Sequence, residues 1–315
     1  MAPSDRRRTI GELGTAWLAR QGHAKPSTLH AYESGWRVHV EPRWGGVPIS
    51  RICHSDVQAW VSGFGRASVV RCAYGILKRI LDDAVADRML TSNPAHGVKL
   101  PAKSRREHVY LTAEQLGRLA DESGTYRSLV LLLGTVGLRW GEAAALRVRD
   151  IDFLRRRIAL HENAVSIGAK TYVGTLKGGE SRVVTVPSFV IDEPSITAAG
   201  KGRDALLWSK TDGGYLPPPN DKSWLVDAVR RCMAADETFP RIIAHALRHT
   251  AASLAISNGA NPHVVQRMLG HSSVAMTLDT YTHLFDSDMD KLAENVGKMW
   301  AQRRLTRITV RQKRP

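Results

Sequence analysis

The chain holds 315 residues, enough for two domains with separate cores, and its 43% apolar content is that of a globular protein, not a disordered one. The longest aliphatic run, residues 129–133, is too short to cross a bilayer, and the opening MAPSDRRRT lacks the apolar segment of a secretory signal; both observations point to the cytoplasm. A net charge of +15, with 17 Lys/Arg against 9 Asp/Glu through residue 107 and 28 against 21 beyond it, calls for a polyanion gripped by both halves. DNA fits, and ribosomal, RNA-binding and membrane-surface proteins carry similar balances.

Residues 1–8 form a short basic N-terminus, and residues 9–97 read as mostly helical. In RCAYGILKRILDDAVADRML, Ala73, Ile76, Leu77, Ile80, Leu81 and Ala84 recur at i, i+3, i+4 spacing, the apolar face of one helix. Arg71, Lys78 and Arg79 fall largely off that face and are either a solvated side or DNA contacts. Asn93-Pro94 closes the segment. Residues 98–110 read as a linker, with Gly and Pro nearby and no periodicity. Its Lys103, Arg105 and Arg106 suit phosphate contacts better than base reading, so binding through them weakens with salt. Cys53, Cys72 and Cys232 are odd in number and widely spaced, which reads as reduced thiols and neither a disulfide frame nor a zinc site.

A second domain spans residues 111–290. Thr112 and Gln115 have the spacing of a capping box, and YRSLVLLLGTVG reads as a buried helix ended by Gly137. RRIALHENAV, TYVGTLK and SRVVTVP alternate as strands, with Lys177-Gly178-Gly179-Glu180 giving hairpin turn chemistry between the last two. From Lys222 the pattern is helical again, so the fold class is α+β, mainly α with a small β-sheet. Residues 291–315 carry LTRITV, which suits a docking strand, and a basic tail that suits docking on a neighbour or a disordered DNA-binding arm.

Three constellations carry chemistry. In TVGLRWGEAAAL, Arg139 sits in a tight connection between helices, where a guanidinium is held rigidly enough to clamp a phosphate or simply to pair with Glu142. In HALRHTAA, His245 and Arg248 share a helix face. His249 completes an HxxxH, but Ala246 stands where a zinc protease needs its general-base Glu, so a metal pair is disfavoured. In the third, Pro262 opens a short helix that Gly270 closes in a left-handed turn. His271 follows, Ser272 or Ser273 caps the next helix, and that helix carries Tyr281. Taken singly, each of these residues has an ordinary structural role.

Taken in order, Arg139, Lys177, His245, Arg248, His271 and Tyr281 resemble the active-site signature of the tyrosine recombinases, the phage integrase family. The blocks are TVGLRWGE, TLKGGESRVVTVP, HALRHT, LGHSS and TLDTYTH, and residues 9–100 resemble the family's helical core-binding domain. The resemblance implies a SAM-like core-binding domain followed by a catalytic domain. It implies that Tyr281 attacks a scissile DNA phosphate to leave a 3′-phosphotyrosine, with His245 and His271 handling protons. Lys177 then protonates the departing 5′-oxygen, and Arg139 and Arg248 hold the non-bridging oxygens. It further implies double-stranded DNA at core-type attachment sites as partner, a homotetramer on two duplexes, an accessory or directionality protein in some systems, and no cofactor or metal. Two departures stand out: Ala246 replaces a frequent Asp, and Pro194 falls where relatives have a longer regular helix. With eight residues ahead of the first helix, an arm-binding domain is not expected. Chromosome-dimer and transposon recombinases share this chemistry, as does a type IB topoisomerase, and a non-catalytic regulator is the reading from a different class.

Overall fold

The computed structural model describes residues 7–102, 108–176, 179–285, 293–294 and 296–300. Contacts divide the chain into two compact units, Met1–Glu107 and His108–Pro315. Among the described residues no helix is long and apolar enough to cross a membrane.

Among its described residues the α-helices of the first unit are α1 (Ile10–Ala19), α2 (Pro26–Gly35), the single turn α3 (Glu41–Trp44), α4 (His54–Ser62) and α5 (Ala67–Ala86). Thr9 and Glu12 close a reciprocal capping box at the start of α1. The 3.6-residue spacing read in α5 is the spacing of its burial: Val70, Ala73, Ile76, Leu77, Ile80, Leu81 and Ala84 all face the core, against Trp17, Trp36 and Trp44 among others. Burying each large aliphatic side chain there is worth about 1.5–3 kcal/mol, which fixes the rotation of α5 and sets its basic residues on the other side.

Those basic residues have partners inside the unit. Arg71 donates from Nη2 to the Pro101 carbonyl at 2.8 Å, Lys78 pairs with Asp82 at 2.6 Å, and the Arg79 guanidinium lies 5.2 Å from the Tyr32 ring centroid. Lys103, Arg105 and Arg106 lie outside the described residues.

The second unit opens with α6 (Ala113–Glu122), capped by Thr112 and Gln115 in the expected box, and the buried helix α7 (Arg127–Val136). The short α8 (Trp140–Ala144) follows. The strands then depart from the sequence expectation. RRIALHENAV is not one strand: it breaks at His161 into β2 (Arg157–Leu160) and β3 (Glu162–Ile167), which belong to different sheets. The order of the first sheet is β1 (Ile151–Asp152), β2, β5 (Arg182–Thr185), and that of the second is β3, β4 (Lys170–Thr175). The hairpin is therefore β3–β4, turning at Gly168 with φ 58°, and β4 and β5 do not pair. Alternation reports which face a residue takes but not which strand it pairs with, so it does not distinguish a β4–β5 hairpin from the pairing of β5 with β2.

Helices close the unit: α9 (Ser188–Ala198), α10 (Trp224–Ala235), α11 (Ala244–Ser257), α12 (Pro262–Leu269) and α13 (Val274–Phe285). α9 continues through Pro194 despite the missing N–H that would have reached the Val190 carbonyl, because Val190, Ile191 and Pro194 are all buried and packing holds the helix across the lost bond. One large core underlies α6, α7, α10, α11 and the first sheet, while Ala252, Ile256, Val265, Leu269 and Tyr281 form a second, smaller cluster under α12 and α13. The LTRITV segment lies outside the described residues.

Candidate active site

Two glycines with left-handed backbone place the site. α7 ends at Gly137 (φ 73°) and α12 ends at Gly270 (φ 66°, ψ 47°), a conformation in which a Cβ crowds the backbone. Each turn delivers a candidate residue shortly after it: Arg139 at the N-cap of α8 and His271 at the end of α12.

Two arginines from different helices clamp the second turn. Arg248, on α11, is 4% exposed and donates to the carbonyls of Gly137 and, at 2.7 Å, Leu269. Arg139 donates from Nη2 to the next carbonyl, Gly270, at 3.0 Å. The carbonyls of two consecutive residues thus bring the two guanidinium groups side by side, immediately before His271. Burial and the nearby Arg139 charge lower the Arg248 pKa to about 10, still charged at neutral pH.

Glu142 anchors Arg139. Its carboxylate is 1% exposed and accepts the Arg139 backbone N–H and Nη1, both at 2.9 Å. It also takes a two-pronged contact from Arg182 on β5, at 2.9 and 2.7 Å. Burial raises the Glu142 pKa, but the hydrogen bonds and charges of Arg182 and Arg139 outweigh it and leave the carboxyl below its ordinary value. Arg182 was not singled out from sequence.

His271 is held by backbone and side chain. Its N–H reaches the Gln266 carbonyl at 3.1 Å, its carbonyl accepts from Gln266 Nε2 at 2.8 Å, and its Nδ1 lies 2.9 Å from Thr277 Oγ1. Burial, then Arg248, Arg139 and Arg182, push its pKa down to about 4. His245 is shifted down too, by burial and then by Arg248.

Tyr281 lies on α13 and is 1% exposed. Its hydroxyl is hydrogen-bonded to His249 Nδ1 at 2.9 Å, a residue that sequence reading weighed only as half of a metal pair. The His249 ring is 4.1 Å from that of His108 and packs at 4.8 Å, edge to face, on His245. Burial, then His108 and His245, bring His249 down to about 3, while burial raises the Tyr281 phenol to about 12 against the lowering pull of Arg248. The proton therefore stays on the phenol by a wide margin. The contact is a neutral pair that seats the tyrosine, not a transfer in progress.

Five of the six sequence-derived residues are described, and all five lie in the second unit around the two glycine turns; Lys177 lies outside the described residues.

The histidine shifts bear on stability. His249 and His271 have folded pKa values below their ordinary 6.5, so the unfolded chain binds more protons from pH 6.5 down to about 4 for His271 and about 3 for His249. Their contribution is complete above pH 6.5 and is lost as pH falls through that window. Melting temperature is expected to drop there, and His249→Phe should flatten the drop. An unchanged slope in the variant would show that His249 titrates normally.

A family model described as "Phage integrase family" matches residues 109–288. The integrase of Mycobacterium phage D29 is 30% identical over 86% of this chain and 73% of its own length. Among solved structures, the Tn1549 transposon integrase in complex with a circular intermediate DNA aligns with a TM-score of 0.79 at 21% identity, over 91% of this chain and 99% of that one. A lambda integrase tetramer bound to a Holliday junction aligns at 0.65 and 18% identity, over 86% and 80%.

Proposed function

The chain belongs to the phage integrase family and is a tyrosine recombinase acting on DNA in site-specific recombination, and we propose that Tyr281 is the nucleophile. Its Oη gives up its proton to His245 or His271 and bonds to the scissile phosphorus, the bond from phosphorus to the 5′-oxygen breaks, and a 3′-phosphotyrosine forms. The departing 5′-oxygen takes a proton from Lys177. Arg139 and Arg248 hold the non-bridging oxygens as charge accumulates, each donor being worth roughly 10²–10³ in rate. The covalent link keeps the energy of the phosphodiester, so rejoining needs no ATP.

The observation that carries this reading is the pair of arginines on the consecutive carbonyls of Leu269 and Gly270, with His271 next in the chain. Arg248 spends two N–H groups on carbonyls and Arg139 spends two on Glu142 and Gly270, out of five donors each, so both retain donors for a phosphate. His245 and His271, neutral in the free protein, gain basicity once an anionic phosphate lies beside them. Attack requires the Tyr281 hydroxyl to leave His249 and emerge, since a residue 1% exposed offers no path to a diester.

Two duplexes contain four strands, and one tyrosine serves each, so the assembly proposed is a homotetramer at core-type sites. Lys103, Arg105 and Arg106, with Arg71, Lys78 and Arg79 once drawn from their present partners, supply phosphate contacts. An accessory or directionality protein would then set the direction of the reaction.

The test is covalent trapping on a nicked duplex taken from DNA flanking the gene, without Mg²⁺ or ATP. The expected result is a denaturation-resistant adduct that disappears in Tyr281→Phe. Tight specific binding with no adduct across wider flanking DNA would favour a regulator instead.

A further inference from the structure

The carboxylate of Glu142 is saturated. Its two oxygens accept four N–H groups, two from Arg139 and two from Arg182, at 2.7–2.9 Å. Arg182 leads β5, and its side chain is turned inward on the face of Val184, 16% exposed. It also sits against the second glycine turn: a Cβ on Gly270 would stand 2.7 Å from its Cζ and 2.8 Å from its Nη1. Its Nε is buried and without a partner among the described residues. Arg182 also lines a cleft of about 1000 Å³, together with Arg267, Gly270, His271 and Ser272 among others.

We propose that Arg182 is a positioning residue of the recombination reaction, fixing the Arg139 fork through Glu142 and the Gly270–His271 turn through direct packing. The inference rests on the active-site reading above. The two-pronged contact with Glu142 ties Arg182 to the same carboxylate that holds Arg139, and this shared anchor is the route by which it acts. Without it, Glu142 keeps two acceptor sites unfilled and rotates, and Arg139 rotates with it. The removal of the guanidinium also opens space behind Gly270. Charge points the same way: Arg139, Arg182 and Arg248 set against Glu142 leave two uncompensated positive charges, matching the two negative charges of a pentacoordinate phosphorane.

The experiment compares wild type, Arg182→Met and Arg182→Lys. Folding is checked by circular dichroism, and DNA affinity and adduct formation are measured on nicked duplexes. One duplex carries the native scissile phosphate and the other a neutral methylphosphonate there. The expected result for Arg182→Met is retained affinity with adduct formation slowed about 10²-fold on the phosphate, the scale of a displaced catalytic group. On methylphosphonate, where the charge met by Arg139 is gone, the loss should be far smaller. Lys, a single point donor, should not restore the rate. Independently of cleavage, the Arg139 guanidinium nitrogens in wild type should give separate ¹⁵N resonances from hindered rotation, averaged in Arg182→Met. Equal slowing on both duplexes, full rescue by Lys, or unchanged Arg139 resonances would overturn the proposal. Absence of any wild-type adduct would instead strike the recombinase reading, with the resonances still deciding the role of Arg182.

Discussion

Glu142→Gln is expected to destabilise the protein by roughly 3–5 kcal/mol and to slow strand cleavage in the same variant. The amide has nearly the volume of the carboxylate, so packing survives. What changes is the acceptor count. Four N–H groups converge on the two oxygens of Glu142, and Gln offers one oxygen, placing an NH₂ against arginine donors. The side chains of Arg139 and Arg182 are 24% and 16% exposed, so water makes up little of the loss. The pH dependence carries a second signature. The folded carboxyl sits below its ordinary value of 4.5, so its contribution is complete above that pH and is lost as pH falls through the lower folded value. The Gln variant should lack that part of the acid limb. Urea melts at neutral pH and below 4.5 measure both effects. A variant with the wild-type midpoint would mean that the carboxylate is not what holds the two arginines.

The elements that positioned this site were legible where local chemistry decides them. Gly270 was readable as a left-handed cap because an apolar helix opened by Pro262 ended there, and Thr112 and Gln115 were readable as a cap by spacing alone. The inward face of α5 followed from periodicity because one face of that helix is buried. Strand pairing was not legible. β5 pairs with β2, about 25 residues upstream, and nothing in TLKGGESRVVTVP distinguishes that from a hairpin with its neighbour.

Arg182 and His249 were missed for different reasons. In SRVVTVP the signal for Arg182 was present: it lies two residues before Val184 and four before Val186, both buried, so alternation alone turned an arginine inward. An inward guanidinium needs a carboxylate, and the partner is 40 residues away, which is tertiary information. His249 was placed on the correct side of α11 by its i+4 spacing from His245, then weighed against metal ligation. Only the crossing of α13 over α11 brings the Tyr281 hydroxyl to its Nδ1. Which histidine faces the tyrosine is thus a property of packing, and no motif contains it.

Arg248→Met is the other large effect, and it separates two roles of one residue. Arg248 bridges the last carbonyls of two helices, Gly137 after α7 and Leu269 at the end of α12, in an environment where it is 4% exposed. Methionine fills the stem but donates nothing, leaving two buried carbonyls unsatisfied at roughly 1–3 kcal/mol each. Both turns should loosen, and with them Arg139, whose Nη2 rests on the carbonyl of Gly270. Cleavage should fall by at least the roughly 10²–10³ of a single lost donor, with the structural loss added to it. Arg248→Lys keeps a charge and part of one bridge. Its ammonium cannot span both carbonyls with fork geometry, so it should recover more stability than activity. Thermal melts and adduct formation on the nicked duplex give the two readouts. If lysine restored cleavage as fully as folding, charge alone would suffice at this position, and the paired carbonyls of Leu269 and Gly270 would not be what aligns the two arginines on the phosphate.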